Sequence, residues 1–444
     1  MRKMLLIAVG MVMVVSRLGA QDFGTYFEDR TLRVDYILAG DSEGQEIYLS
    51  RMSSLPFWAG RQTRLGEELV KGNGQVRVYD HESGELIYVN TFSTLFSEWT
   101  FTAEASRLKK AFECTCLVPM PKRPVDVKLT LTGLKGEVRA SHTATVDPRD
   151  ILIRPMPDNG YERKYIVRGG DSKDCVDIVI LSEGYTKKEI RKFYRDCERA
   201  CEALFAHDPF GKYKSSFNVV ALAVPSPESG PSIPGEPLWK RTSFDSHFYT
   251  FYSDRYLTSD QMFRIEDAAS CVPHEIVILM VNTEKYGGGG IFNNLMTISS
   301  DHPTFREVFV HEFGHTFAGL GDEYEYGNEG DESMYSSDVE PWEPNLTTLA
   351  DFRSKWADLV PEGTPIPTPL ADIPDFQKAR TPEERQAINE ASQRVGVFEG
   401  GGYQEKGVYR PAQECRMKIN QIDYFCPVCA RAIVNTINYY TNRE

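Results

Sequence analysis

Apolar and polar residues alternate along Leu32–Ile37 (LRVDYI), Val76–Tyr79 (VRVY) and Val125–Leu131 (VDVKLTL). A period of two marks strands with one face in a core and one toward water. Asp80–Gly84 (DHESG), with such a run on each side, predicts a hairpin turn. The alternation ends at Thr143–Val146, and Asp147-Pro148 followed by Pro155 and Pro157 reads as a linker. Residues 21–155 are therefore expected to form a small all-β sandwich.

From about residue 160 the pattern changes. Val176–Leu181, Phe217–Val224, Glu275–Val281 and Leu295–Ile298 are short, nearly continuous apolar runs, as strands buried on both faces show. A helix separates the first two. Thr186 and Glu189 have the spacing of a capping box. After them Ile190, Phe193, Tyr194, Cys197, Cys201, Leu204 and Phe205 fall on one helical face. Strands alternating with helices predict an α/β or α+β domain over 160–444, built on a mixed, mostly parallel, helix-covered sheet. Another helix is expected to open near Asp301–Thr304, with Pro303 in its first turn, and to end at Gly319 and Gly321. Its core face reads Phe305, Phe309, Phe313, Thr316 and Leu320; the opposite face carries Val308, His311, Glu312 and His315. Residues 340–400 read as an insertion: a Pro-rich stretch at 361–374, then a capping box at Thr381 and Glu384 opening a charged, solvated helix to about Val395.

The chain has 444 residues, 41% hydrophobic and 26% charged, the profile of a soluble protein of two or three domains. A net charge of −14 argues against nucleic acid or an anionic membrane surface as partner. Arg2 and Lys3 precede the apolar run Leu5–Val15, which is short for a bilayer span, and Leu18-Gly19-Ala20 offers a small-residue cleavage site. Residues 1–20 are read as a secretory signal, so the mature chain is expected in the periplasm, at the cell surface or outside the cell. No other apolar stretch reaches spanning length. Of nine cysteines, Cys197 and Cys201 are expected as buried thiols. Cys114 and Cys116 share one strand face and are poorly placed to bond each other; as an alternative to burial, either would cap a metal as a thiolate before activation. Cys426–Cys429 is a C-x-x-C, a spacing open to redox or metal-binding roles; with no second C-x-x-C in the chain, a structural disulfide involving Cys415 is the expectation there. His81 and His142 read as surface residues.

The chemistry lies in His311-Glu312-Phe313-Gly314-His315. Residues four apart stack on one helical face, so both imidazoles can meet one ion, and Glu312 then lies where a carboxylate can take a proton from water. A catalytic zinc needs three protein ligands. The helix break at Gly319 lets Gly319-Leu-Gly-Asp-Glu323 turn back, which favours Asp322 as the third. Glu323, or the more distant Glu329, Glu332 and Glu340, are the alternatives.

These residues resemble the metzincin metalloproteases, whose H-E-x-x-H-x-x-G-x-x-H/D pattern recurs here with glycine and acid each one position late. The chain also resembles the narrower M64 peptidase family, through Leu181–Thr186, Val224–Gly230, the glycines before Ile291-Phe292, His311–Tyr324 and Phe425–Cys429. Residues 21–150 resemble the N-terminal domain found with that family. The resemblance implies a metzincin-like peptidase domain over 160–444 and an exported zinc endopeptidase acting on protein or peptide substrates. Glu312 would be its general base, and His311, His315 and Asp322 its metal ligands. Met417 would supply a hydrophobic floor beneath the metal; the position two residues on is Ile419, so a tyrosine ligand there is not carried over. The glycine run at 287–290 is expected to border the cleft or to form a loop. A non-catalytic surface or envelope binding protein on a peptidase scaffold is the alternative, which the intact His311, Glu312 and His315 disfavour.

Overall fold

The computed structural model describes residues 22–325, 335–373 and 378–441. The leader read at 1–20 and the carboxylates of Glu329 and Glu332 lie outside them.

After a single turn α1 (Phe23–Tyr26), the N-terminal part holds β1 (Phe27–Gly40), β2 (Gln45–Leu55), β3 (Gly74–Asp80), β4 (Leu86–Phe92), the short helix α2 (Leu95–Trp99), β5 (Lys110–Pro121), β6 (Val125–Thr132), β7 (Val138–Val146) and β8 (Arg154–Pro155). They form two four-stranded sheets, ordered β5-β1-β2-β8 and β4-β3-β6-β7. The inward residues of the alternating runs, among them Val34, Tyr36, Val76, Val78, Val127 and Leu129, share one core. Asp80–Gly84 closes the β3–β4 hairpin, Asp80 accepting from the backbone N–H and hydroxyl of Ser83. The Pro-rich linker is not wholly irregular: β8 pairs in parallel with β2. Cys114 and Cys116 sit in this core, which removes them as caps for a metal bound by the histidines.

The second part contains β9 (Glu162–Arg168), β10 (Val176–Glu183), α3 (Ile190–Phe205), β11 (Phe217–Ala223), α4 (Met262–Ala269), β12 (Ile276–Val281), β13 (Gly288–Gly290), β14 (Leu295–Ser299), α5 (Phe305–Ala318), α6 (Pro382–Gln393), β15 (Phe398–Gly401), β16 (Gln404–Arg410) and α7 (Pro427–Thr441). The sheet order is β13-β14-β12-β10-β11-β9. Its inner pairings, β10 with β11 and β12, and β12 with β14, are parallel; the edge strands β9 and β13 are antiparallel. The mixed, mostly parallel expectation holds. Side chains split by parity, as a sheet covered on both faces requires. Ile178, Ile180, Ile276 and Ile278 pack with residues of α3, α5 and α7, whereas Val179, Leu181, Val277 and Leu279 pack with residues of α4.

Three local readings are revised. Only half of the Thr186–Glu189 capping box forms: Glu189 Oε2 accepts from the Thr186 backbone N–H at 2.9 Å, but it also takes the Thr186 hydroxyl, which caps nothing, and α3 starts only at Ile190. The Thr381–Glu384 capping box forms as expected, but α6 is not solvated all round: Ile388 is buried against Ala379 and Ile422. Residues within 340–400 also pack onto the body of the domain, where Trp356 is buried and its indole N–H donates to Gly396 O at 2.8 Å. Asn345, the first residue of an N-x-T glycosylation sequence (Asn345-Leu346-Thr347), is fully buried.

The two parts are fastened together. Arg33, buried in β1, donates to Asp35 and to Asp267 of α4, and Arg51 reaches both carboxylates as well. Near the C-terminus, the buried Arg61 guanidinium lies 4.5 Å from the Tyr439 ring of α7. Among the described residues no helix is long and apolar enough to cross a membrane.

Candidate active site

Helix α5 carries the H-E-x-x-H residues and is buried on more than its predicted face. Phe305, Phe309, Phe313 and Thr316 are covered as expected, and Val308 also joins the core. The helix stops at Gly319, whose φ of 62° is left-handed backbone that glycine adopts without a Cβ penalty. The chain then doubles back. Asn345 fixes it there by accepting from Gly321 N–H at 2.7 Å and donating to Gly321 O at 2.9 Å.

This turn brings Asp322 to the histidines. Asp322 Oδ1 lies 3.0 Å from His311 Nε2 and 3.2 Å from His315 Nε2, and the two Nε2 atoms are 3.0 Å apart. Each Nδ1 is engaged elsewhere: that of His311 donates to Arg416 O at 3.0 Å, that of His315 to Leu320 O at 2.5 Å. Holding the proton on Nδ1 turns the lone pair of each Nε2 toward the shared point, as backbone partners of metal-binding histidines do. Three donor atoms of hard and borderline character thus converge from a His₂Asp set, which suits a divalent metal such as zinc. Glu323 points away, and Glu340 is not part of the cluster, so the geometry favours Asp322 among the carboxylates weighed.

Electrostatics follow the packing. Burial disfavours the charged form of His315, but the facing Asp322 carboxylate outweighs it and raises its pKa to about 9. Burial also works against ionised Asp322, yet the two histidines hold its carboxyl well below the usual range. Burial pushes Glu312 up, opposed by His311 and His315.

The segment after α6 contributes Tyr403, whose hydroxyl donates to Asp322 Oδ2, and Tyr324 stacks over His311. Met417 is fully buried, and its carbonyl accepts from Glu323 N–H at 2.9 Å, while the preceding carbonyl holds His311. The glycine run is an edge strand, not a loose loop. A Cβ on Gly290 would stand 2.5 Å from Glu312 O and 3.0 Å from His315 Cβ, so only glycine lets β13 pass this close to α5. Tyr256 bridges the outer side of β13 at Gly288 and donates its hydroxyl to Glu98 Oε2. Glu98 belongs to α2, so the N-terminal β domain reaches the neighbourhood of Glu312. Burial, opposed by the Tyr256 hydrogen bond, raises the Glu98 pKa to about 7. β4 and the residue after it also grip the segment after β13: Asn293 Nδ2 donates to Thr91 O at 2.7 Å and Asn294 Nδ2 to Ser93 O at 3.0 Å.

Sequence reasoning brought out His311, Glu312, His315 and Asp322 but missed Tyr403, Tyr256, Glu98 and Asn345. Nothing local marks those four. The expected disulfide at Cys415 is absent: all nine cysteines are free, and Cys415, Cys426 and Cys429 gather around Glu323.

Residues 165–437 match the family described as IgA Peptidase M64, and 22–143 match its N-terminal domain, described as Peptidase M64 N-terminus. The chain belongs to the IgA Peptidase M64 family, and is a peptidase. Peptidases of this family are metallopeptidases. No curated protein matches the chain.

Proposed function

We propose that the protein is an exported, zinc-dependent endopeptidase of metzincin-like design. The observation that carries this reading is the meeting of His311 Nε2, His315 Nε2 and Asp322 Oδ1 beside Glu312, with both Nδ1 atoms committed to backbone carbonyls. His311, His315 and Asp322 would hold the zinc ion, which would supply Lewis acidity and lower the pKa of a water toward neutrality. Glu312 takes the proton from the attacking water and hands it to the departing amine. Tyr403 holds Asp322 in orientation, and Met417 closes the floor of the site. Export rests on the basic and apolar leader with its small-residue cleavage site.

The test is a peptide-library digest of the mature chain read by mass spectrometry, with and without a zinc chelator, alongside Glu312→Ala. The expected result is cleavage that the chelator abolishes and that Glu312→Ala reduces by about 10²–10⁴-fold with metal content retained. Cleavage at the normal rate in the variant would overturn the assignment of the base. Cleavage indifferent to the chelator would overturn the metal, and no cleavage at all would favour a binding protein on this scaffold.

A further inference from the structure

The histidine cluster is not the only place where ligand atoms converge. Glu323, Cys415, Cys426 and Cys429 each offer one, all within 4.8 Å of one another, and all four residues are buried. Glu323 Oε1 accepts from Asn345 Nδ2 at 2.9 Å and from Cys429 Sγ at 3.0 Å. Its other oxygen, Oε2, is buried with no hydrogen-bond partner among the described residues. A carboxylate in that position costs free energy unless a cation faces it. The sulfurs are prepared for negative charge. Cys426 N–H points at Cys415 Sγ at 3.3 Å, and Cys429 N–H at Cys426 Sγ at 3.5 Å. Cys426 immediately precedes α7 and Cys429 lies in its first turn, the positive end of a 15-residue helix.

We propose that Glu323, Cys415, Cys426 and Cys429 form a second metal site, a closed Cys₃Glu centre for zinc, separate from the histidine cluster. Thiolate sulfur selects zinc over hard cations, and four protein donors leave no position for substrate, which makes the site structural. On binding, each coordinated thiol gives its proton to solvent. The centre ties three segments together: the turn after α5 that bears Asp322, the Cys415–Met417 stretch whose Arg416 carbonyl holds His311, and the start of α7. It thereby keeps the catalytic ligands in register without touching the substrate.

The test uses the full chain purified under reducing conditions, with zinc measured by plasma mass spectrometry and Co²⁺ as a spectroscopic substitute. The double variant His311→Ala, His315→Ala empties the histidine cluster and leaves the cysteines alone. It is expected to retain zinc at about one per chain and, with Co²⁺, to show an intense near-ultraviolet sulfur-to-cobalt charge-transfer band. Adding Cys426→Ser and Cys429→Ser is expected to remove both signals and lower the Tm. If those added changes prevent folding, the double histidine variant still decides. Loss of all zinc and absence of the band in that variant would overturn the proposal, as would a Cys415–Cys426 or Cys415–Cys429 disulfide found by peptide mapping. Cleavage activity of the unaltered protein is read separately, so failure of this site and failure of the peptidase reading remain distinct outcomes.

Discussion

Asp322 and Glu323 are consecutive residues that serve different clusters: Asp322 Oδ1 lies 3.0 Å from His311 Nε2, and Glu323 Oε1 lies 3.0 Å from Cys429 Sγ. One turn of chain therefore supplies both places. Asp322→Ala is expected to abolish chelator-sensitive cleavage, because the two imidazoles alone leave a catalytic zinc short of its third protein ligand. Zinc bound per chain, measured with cleavage rate, checks this. Normal activity in the variant would move the third ligand elsewhere.

Tyr403 acts through Asp322. Removing its hydroxyl frees Asp322 Oδ2 to rotate, and partners of metal ligands are worth about 10–100-fold in affinity or activity. Tyr403→Phe should lose activity by that order, with added zinc recovering part of it. A variant with unchanged zinc affinity and unchanged rate would remove the positioning role.

Glu98 gives a pH dependence whose sign can be worked out. Its folded pKa is raised to about 7 from an ordinary 4.5. Between those values the folded chain holds a proton that the unfolded chain has shed, so its contribution to stability falls as pH rises through that window. Glu98→Gln cannot ionise. In chelator-treated protein, its Tm should match that of the unaltered chain at the acid end of the window and exceed it above pH 7. Parallel Tm curves across the range would show that Glu98 does not titrate there.

Gly290 carries no side chain because α5 leaves it no space. A Cβ would meet Glu312 O at 2.5 Å and Thr316 Oγ1 at 2.8 Å. Gly290→Ala should cost about 1–3 kcal/mol of stability as an overpacked contact. The displaced helix should also lose activity out of proportion to the fall in Tm. Calorimetry paired with kcat/KM tests both halves, and full activity would mean that β13 can move away from α5 without harm.

Much of the framework was legible because it is written in local periods. The apolar runs of β10 and β12, the one-sided pattern of α3 and the Gly319 stop after α5 each depend on residues near in sequence. The histidines and Asp322 were readable for the same reason, lying within 11 residues of each other. Tyr403 reaches Asp322 across 81 residues, and Tyr256 reaches Glu98 across 158. No period or spacing encodes such meetings; they arise only when sheets and helices pack. The cysteines show the same limit. Cys426 and Cys429 announced a cluster, but Glu323, 106 residues from Cys429, gave no sign of joining it, so a disulfide was the natural expectation. The capping box at Thr186 forms only by half for another reason: the Glu189 carboxylate accepts from both the backbone N–H and the hydroxyl of Thr186, and the second pairing takes the hydroxyl out of the helix cap.

The burial of Asn345 has a consequence for where this chain can mature. Asn345-Leu346-Thr347 is a glycan acceptor only while the chain is extended, since in the folded protein its amide is enclosed against Gly321 and Glu323. A secretory route that attaches sugars to the nascent polypeptide would reach Asn345 before folding hides it, and a hydrophilic oligosaccharide there has no room beside the turn that delivers Asp322. Such a host would turn out a mixture: bare molecules that close, and sugar-bearing ones that cannot.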